Sequence, residues 1–209
     1  TQNDKLAPIS KDQKEIAKRT DDLKNTPLPE KPEAKQALEN AAKAAQDAAK
    51  ALDDKKAMRA VDKQDAALKD LQAAKKALED QAKAIEERKA DIAALEEAAK
   101  KLGELAKQQG EIANEAKKME PKGKEAATEP LARNQAELKP QAREVGDMIK
   151  DLVPEASKQI DKAGEKMDAA KKNLDNMELP PAAKNAEASK QKLEDAKKAN
   201  DALRLENDN

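Results

Sequence analysis

From residue 57 to residue 119 the chain carries no proline. Large apolar residues fall there at Met58, Val61, Leu68, Leu71, Leu78, Ile85, Ile92, Leu95, Leu102, Leu105, Ile112 and Met119. Steps of three, four and seven are the spacing of an α-helix with one buried stripe. At 1.5 Å per residue the stretch predicts a helix of roughly 95 Å, longer than a small domain is wide. It reads as a spine on which shorter helices dock.

The shorter elements follow from the same pattern. Leu6, Ile9, Gln13, Ile16, Thr20 and Leu23 form a seam over about 6–24, with Pro8 suited to a first helical turn. Three prolines in 25–32 make a connection. A helix over 33–53 puts Ala34, Leu38, Ala41, Ala45, Ala48 and Leu52 on one face, and a short turn at 54–56 leads into the spine. Glycine and prolines in 120–130 turn the chain again. A seam through Gln135, Leu138, Ala142, Val145, Ile149 and Leu152 predicts a helix over 131–153, kinked or split near Lys139 by Pro140. Pro154 opens a helix over 154–177, Leu179-Pro180-Pro181 breaks it, and a last helix covers 182–205. The expected fold is all-α: elongated helical bundles or a coiled coil sharing one long central helix. Two related three-helix units are expected, over residues 1–97 and 98–209.

An internal correspondence supports the two units. Pro8-Ile9-Ser10-Lys11-Asp12-Gln13-Lys14-Glu15-Ile16 matches Pro130-Leu131-Ala132-Arg133-Asn134-Gln135-Ala136-Glu137-Leu138, 122 residues on. Farther along, the stretch from Asp47 to Asp53 matches that from Asp168 to Asp175 if one inserted residue is allowed. Residues 8–80 and about 130–203 then read as two copies of a three-helix unit. The opening motif recurs inside the spine, from Leu102 to Ala113. Its shared core is Leu/Ile-x-x-x-Gln-x-x-Ile/Leu, which places Gln13, Gln109 and Gln135 on buried seams, with Gln64 in a similar place. A seam glutamine costs stability but fixes register, because only one alignment satisfies its amide. All three are expected to bond across helices or to backbone.

Composition narrows the chemistry. The 209 residues include 42 basic and 43 acidic side chains, and Phe, Trp, Tyr, His and Cys are all absent. Alanine, at 44 residues, outnumbers Leu, Ile, Val and Met together, at 34. A wide core cannot be filled that way, whereas close-packed helices can, and Ala, Glu, Lys, Leu, Gln and Arg are the strongest helix formers. Disordered chains share such charge, but their apolar positions are not periodic. Without His or Cys no Ser-His or Cys-His nucleophile can be assembled, nor a Glu-x-x-His di-iron site. Carboxylate pairs such as Asp53–Asp54, Glu86–Glu87 and Glu96–Glu97 could serve acid–base work or bind Ca²⁺. Interleaved acids and bases instead read as solvated helix faces. The five glycines make no phosphate loop. Gly103 and Gly110 suit close helix approach or a bend. No catalytic, cofactor-binding or metal-ligating residue is therefore expected, and no enzyme activity. Balanced charge argues against nucleic acid, and no apolar run is long enough to span a bilayer.

The pattern L-A-x-x-Q-x-x-I, a proline-bearing break, A-A-x-x-L-D, a short break and a Q-x-x-A-L helix resembles segments of large uncharacterised bacterial cell-envelope proteins. That resemblance implies arrays of charged, alanine-rich helices, a place in the cell envelope, and no catalytic residues to carry over. Together the readings give a rigid helical spacer or scaffold, part of a longer array repeating at about 122 residues, with protein partners or self-association. Reversible lipid-surface binding and a stress-protectant or ice-binding role are the alternatives. The stripe Leu6, Ile9, Ile16 and Leu23 is expected to be covered by the spine, another copy, or a preceding segment.

Overall fold

In the computed structural model the described residues are 6–27, 32–119 and 125–208. They form six helices: α1 (Leu6–Lys24), α2 (Pro32–Asp53), α3 (Ala57–Lys118), α4 (Glu125–Ile149), α5 (Pro154–Asp175) and α6 (Leu179–Asp208). No strand occurs among the described residues. The fold is all-α, and the long helix expected over 57–119 is α3, 62 residues without a break. Proline marks the starts: Pro32 and Pro154 are first residues of α2 and α5, where the missing N–H would have no partner anyway.

Two stretches are more helical than the sequence suggested. Helix α4 begins at Glu125, and Pro130 and Pro140 lie inside it without breaking it. Both prolines are on the exposed face, where water can take the carbonyl bond each gives up. Pro180 and Pro181 likewise sit in the first turn of α6 rather than ending an element.

The chain divides into two compact units, Thr1–Glu86 and Glu87–Asn209, a division earlier than the expected residue 97. In the first, α1, α2 and the opening part of α3 meet on alanine: Ala17, Ala45 and Ala67 form one cluster, and Ala51, Leu52 and Ala60 another. The α1 seam differs from expectation. Its buried side chains are Ser10, Gln13, Ala17 and Thr20, while Ile9, Ile16 and Leu23 are 46%, 47% and 42% exposed. The side chain of Leu6 lies outside the described residues. Helix α3 behaves alike here, burying Ala60, Ala67 and Ala74 and exposing Met58, Val61, Leu68 and Ile85. The single stripe of large residues expected along the whole spine therefore holds only from Leu95 onward. Apart from Leu38 and Leu52 of α2, the close contacts of this unit are made by small side chains, and the large ones of α1 and the start of α3 are left outside.

The second unit is a four-helix bundle. Lys101 of α3 meets Glu144 of α4, Lys139 of α4 meets Asp168 of α5, Ser189 of α6 donates to the Ala163 carbonyl of α5, and Arg204 of α6 meets Glu96 of α3. Each neighbour is antiparallel, as short connections require. One continuous core runs from Leu95, Leu102 and Leu105 through Leu138, Val145, Ile160, Met167 and Leu174 to Leu193.

The turns after α2 and α5 are built alike. Lys56 N–H bonds the Ala51 carbonyl and Lys55 N–H that of Leu52; 122 residues on, Glu178 bonds Asn173 and Met177 bonds Leu174. This 6→1 and 5→2 pairing satisfies the last helical carbonyls and needs a left-handed residue between them. The buried positions Ala34, Leu38, Ala41, Ala45, Ala48 and Leu52 of α2 correspond at the same spacing to Ala156, Ile160, Ala163, Met167, Ala170 and Leu174 of α5. No inserted residue is required.

Candidate functional site

The three glutamines singled out by the sequence are all buried, in two different environments. Gln13 sits where the helices of the first unit meet. Its Nε2 donates to the Ala45 carbonyl of α2 at 3.3 Å, and its Oε1 accepts from Gln64 Nε2 of α3 at 2.7 Å. One amide thus ties α1 to both neighbours. Gln109 and Gln135, in the second unit, are buried with neither amide atom bonded to another described residue. The expectation that all three would bond across helices or to backbone is met by Gln13 alone. Where the first unit has Gln64, the second has Ala186, which offers no amide.

Two buried polar side chains of α6 donate to main-chain partners. Ser189 Oγ donates to the Ala163 carbonyl at 3.1 Å and Asn200 Nδ2 to that of Leu95 at 2.8 Å. Both tie α6 to a neighbour, and neither residue stood out in the sequence. A polar residue at an otherwise apolar step of α6 was the available signal.

The charged side chains form pairs on solvated surface. Asp53 accepts from Ser10 at 2.6 Å and pairs with Lys14 at 2.8 Å, which joins the end of α2 to α1. The hydrogen bond from Lys14, then that from Ser10, holds its carboxyl below the ordinary carboxylate value. Lys101 is shared between Glu97 and Glu144, and those two hydrogen bonds raise its pKa. The carboxylate pairs considered above are all exposed. Adjacent residues on a helix do not face each other, so Glu96 pairs with Arg204 and Glu97 with Lys101. Among the described residues no group of three or more His, Cys, Asp or Glu could hold a metal ion.

Two surface features remain. A groove of about 620 Å³ lies between the end of α3 and the start of α6, lined by Ala116, Met119, Leu179, Pro180 and Ala183 with Lys117 and Glu187 at hand. On the first unit, Ile9, Ile16 and Leu23 of α1 and Val61 and Leu68 of α3 present an apolar face to solvent. Scattered exposed apolar residues are ordinary, but a row with heptad spacing is the pattern of a helix-binding seam.

The chain matches no family model, no curated protein and no solved structure. Among the described residues, no helix is long and apolar enough to cross a membrane.

Proposed function

We propose that the chain is a non-enzymatic structural and interaction module, a helical spacer or scaffold assembled from units that recur every 122 residues. The observation that carries this reading is the recurrence of one turn at one spacing. Lys55 and Met177 hold the same left-handed conformation, inside the same two hydrogen bonds, between helices that bury corresponding positions. Modules that recur with their packing intact bury each unit's apolar face on a neighbour, and their role is set by how many there are. The side-chain inventory agrees: without histidine, cysteine or aromatic residues, the surface offers charge pairs and aliphatic stripes, which suit helix–helix contact.

Lengthening the chain by one unit tests the reading. Residues 1–129 joined to residues 8–209 place a second α1 directly after a complete α3. A modular chain keeps its mean residue ellipticity, melts no lower than the parent and keeps the parent's oligomeric state. Loss of helicity or aggregation of the lengthened chain would remove the modular reading. Flotation of the parent chain with anionic vesicles would favour the lipid-surface alternative.

A further inference from the structure

The bare face of the first unit has a covered counterpart in the second. The residues 122 positions after Ile9, Ile16, Leu23, Val61 and Leu68 are Leu131, Leu138, Val145, Ala183 and Lys190. All five meet the C-terminal part of α3. Leu131 and Leu138 line a cleft with Ile112, Val145 lines one with Leu105, and Ala183 shares a groove with Ala116. The stem of Lys190 lies over Gly110, 3.3 Å from where a Cβ would stand. Corresponding positions are thus roofed by a helix in one unit and open in the other.

Charge follows the same correspondence. The roofing helix is held at its two ends by Lys101 to Glu144 at 3.0 Å and Lys117 to Glu187 at 3.9 Å. The residues equivalent to Glu144 and Glu187 in the first unit are Asp22 and Asp65. Both are acidic and exposed, and neither carboxylate is in an ion pair among the described residues. An apolar row flanked by two carboxylates is therefore present without the helix that such a row and such carboxylates hold in the second unit.

We propose that this face of the first unit, between α1 and the opening part of α3, is a docking site for one further amphipathic helix with the chemistry of residues 95–118. That helix carries Leu95, Leu102, Leu105 and Ile112 toward the site and two lysines placed to reach Asp22 and Asp65. It lies antiparallel to α1 and α3, as the end of α3 does to α4 and α6. The proposal deepens the modular reading by naming the partner's chemistry. The two can fail separately, because the lengthened chain can fold whether or not a free helix binds.

The test is a fluorescein-labelled peptide of residues 95–118 titrated with the full-length chain and followed by anisotropy. Saturable one-to-one binding is expected, weakened at least about tenfold by Ile16→Glu in the chain, a change at an exposed position. A peptide carrying Lys101→Glu and Lys117→Glu should bind the parent chain poorly and regain affinity for a chain carrying Asp22→Lys and Asp65→Lys. Absence of saturable binding would overturn the proposal. So would binding that Ile16→Glu leaves unchanged, since the peptide would then be exchanging into the second unit. A dimer of the chain, or flotation with vesicles, that Ile16→Glu abolishes would assign the face to a second copy or to lipid and would equally overturn it.

Discussion

Lys55 and Met177 hold left-handed backbone at φ 60° and 59°, each as the second residue past a helix end, with the same pair of turn hydrogen bonds around it. A side chain there crowds the following carbonyl, and glycine relieves that with little loss of contact, since both residues lie at the surface. Lys55→Gly and Met177→Gly should each stabilise the chain by about 0.5–1 kcal/mol after the entropy glycine adds to the unfolded state. Denaturant unfolding of each variant measures the sign. Destabilisation by both would mean the turns relax in solution.

The glutamines should divide by environment. Gln13→Leu removes the acceptor of Gln64 and a bond to the Ala45 carbonyl, and should destabilise by about 1–3 kcal/mol. Gln109→Leu and Gln135→Leu remove buried amides that bond to no described residue, and should stabilise by about as much. Light scattering on the same variants reads the accompanying loss of register as new oligomers. A fall in stability for Gln109→Leu would show its amide to be bonded in solution.

Acid should loosen the α1–α2 junction. Asp53 has a folded-state pKa below the ordinary value of 3.8, so the stability it contributes is complete above that value and disappears as pH falls through the folded pKa. A carboxyl-carbon NMR titration should give a midpoint below 3.8, and Lys14→Met should return it toward that value. A midpoint at or above it would contradict the Ser10 and Lys14 contacts.

Two glycines test how tightly the second unit packs. A Cβ on Gly103 would meet only the Lys197 stem, at 3.8 Å, so Gly103→Ala should gain close to the full helix-propensity difference of about 1 kcal/mol. A Cβ on Gly146 would stand 3.4 Å from Ile160 Cγ2, so Gly146→Ala should gain distinctly less. Equal gains in thermal unfolding would mean that α4 and α5 part easily.

The sequence was most legible where length and proline decide. The bounds of α1, α2, α3 and α5 follow from periodicity and breaks, whereas Pro130, Pro140 and the Pro180-Pro181 pair lie inside helices on positions that tolerate them. Which face of α1 and early α3 lies inside was not legible. Size alone points Ile9, Ile16, Leu23, Val61 and Leu68 inward, whereas the structure leaves them exposed. In a three-helix unit the close contacts belong to Ala17, Ala45, Ala60 and Ala67, and alanine is too abundant here to stand out. The glutamines were visible as a motif, but their bonding depends on whether position 64 or its counterpart 186 offers an amide.

Helix α3 passes from one unit to the other without interruption, yet every residue from Ala82 to Ala90 is exposed. No core holds that stretch, and a helical segment of this length is marginal without packing. Its amides should therefore exchange with solvent far faster than those of Leu95–Ile112 in the same helix. Within α3, trypsin should cut first at Lys83, Arg88 or Lys89. The continuous helix should then act as a fuse rather than a girder: heat or protease is expected to open it in the middle and each unit to melt by itself, the alanine-cored first unit before the second.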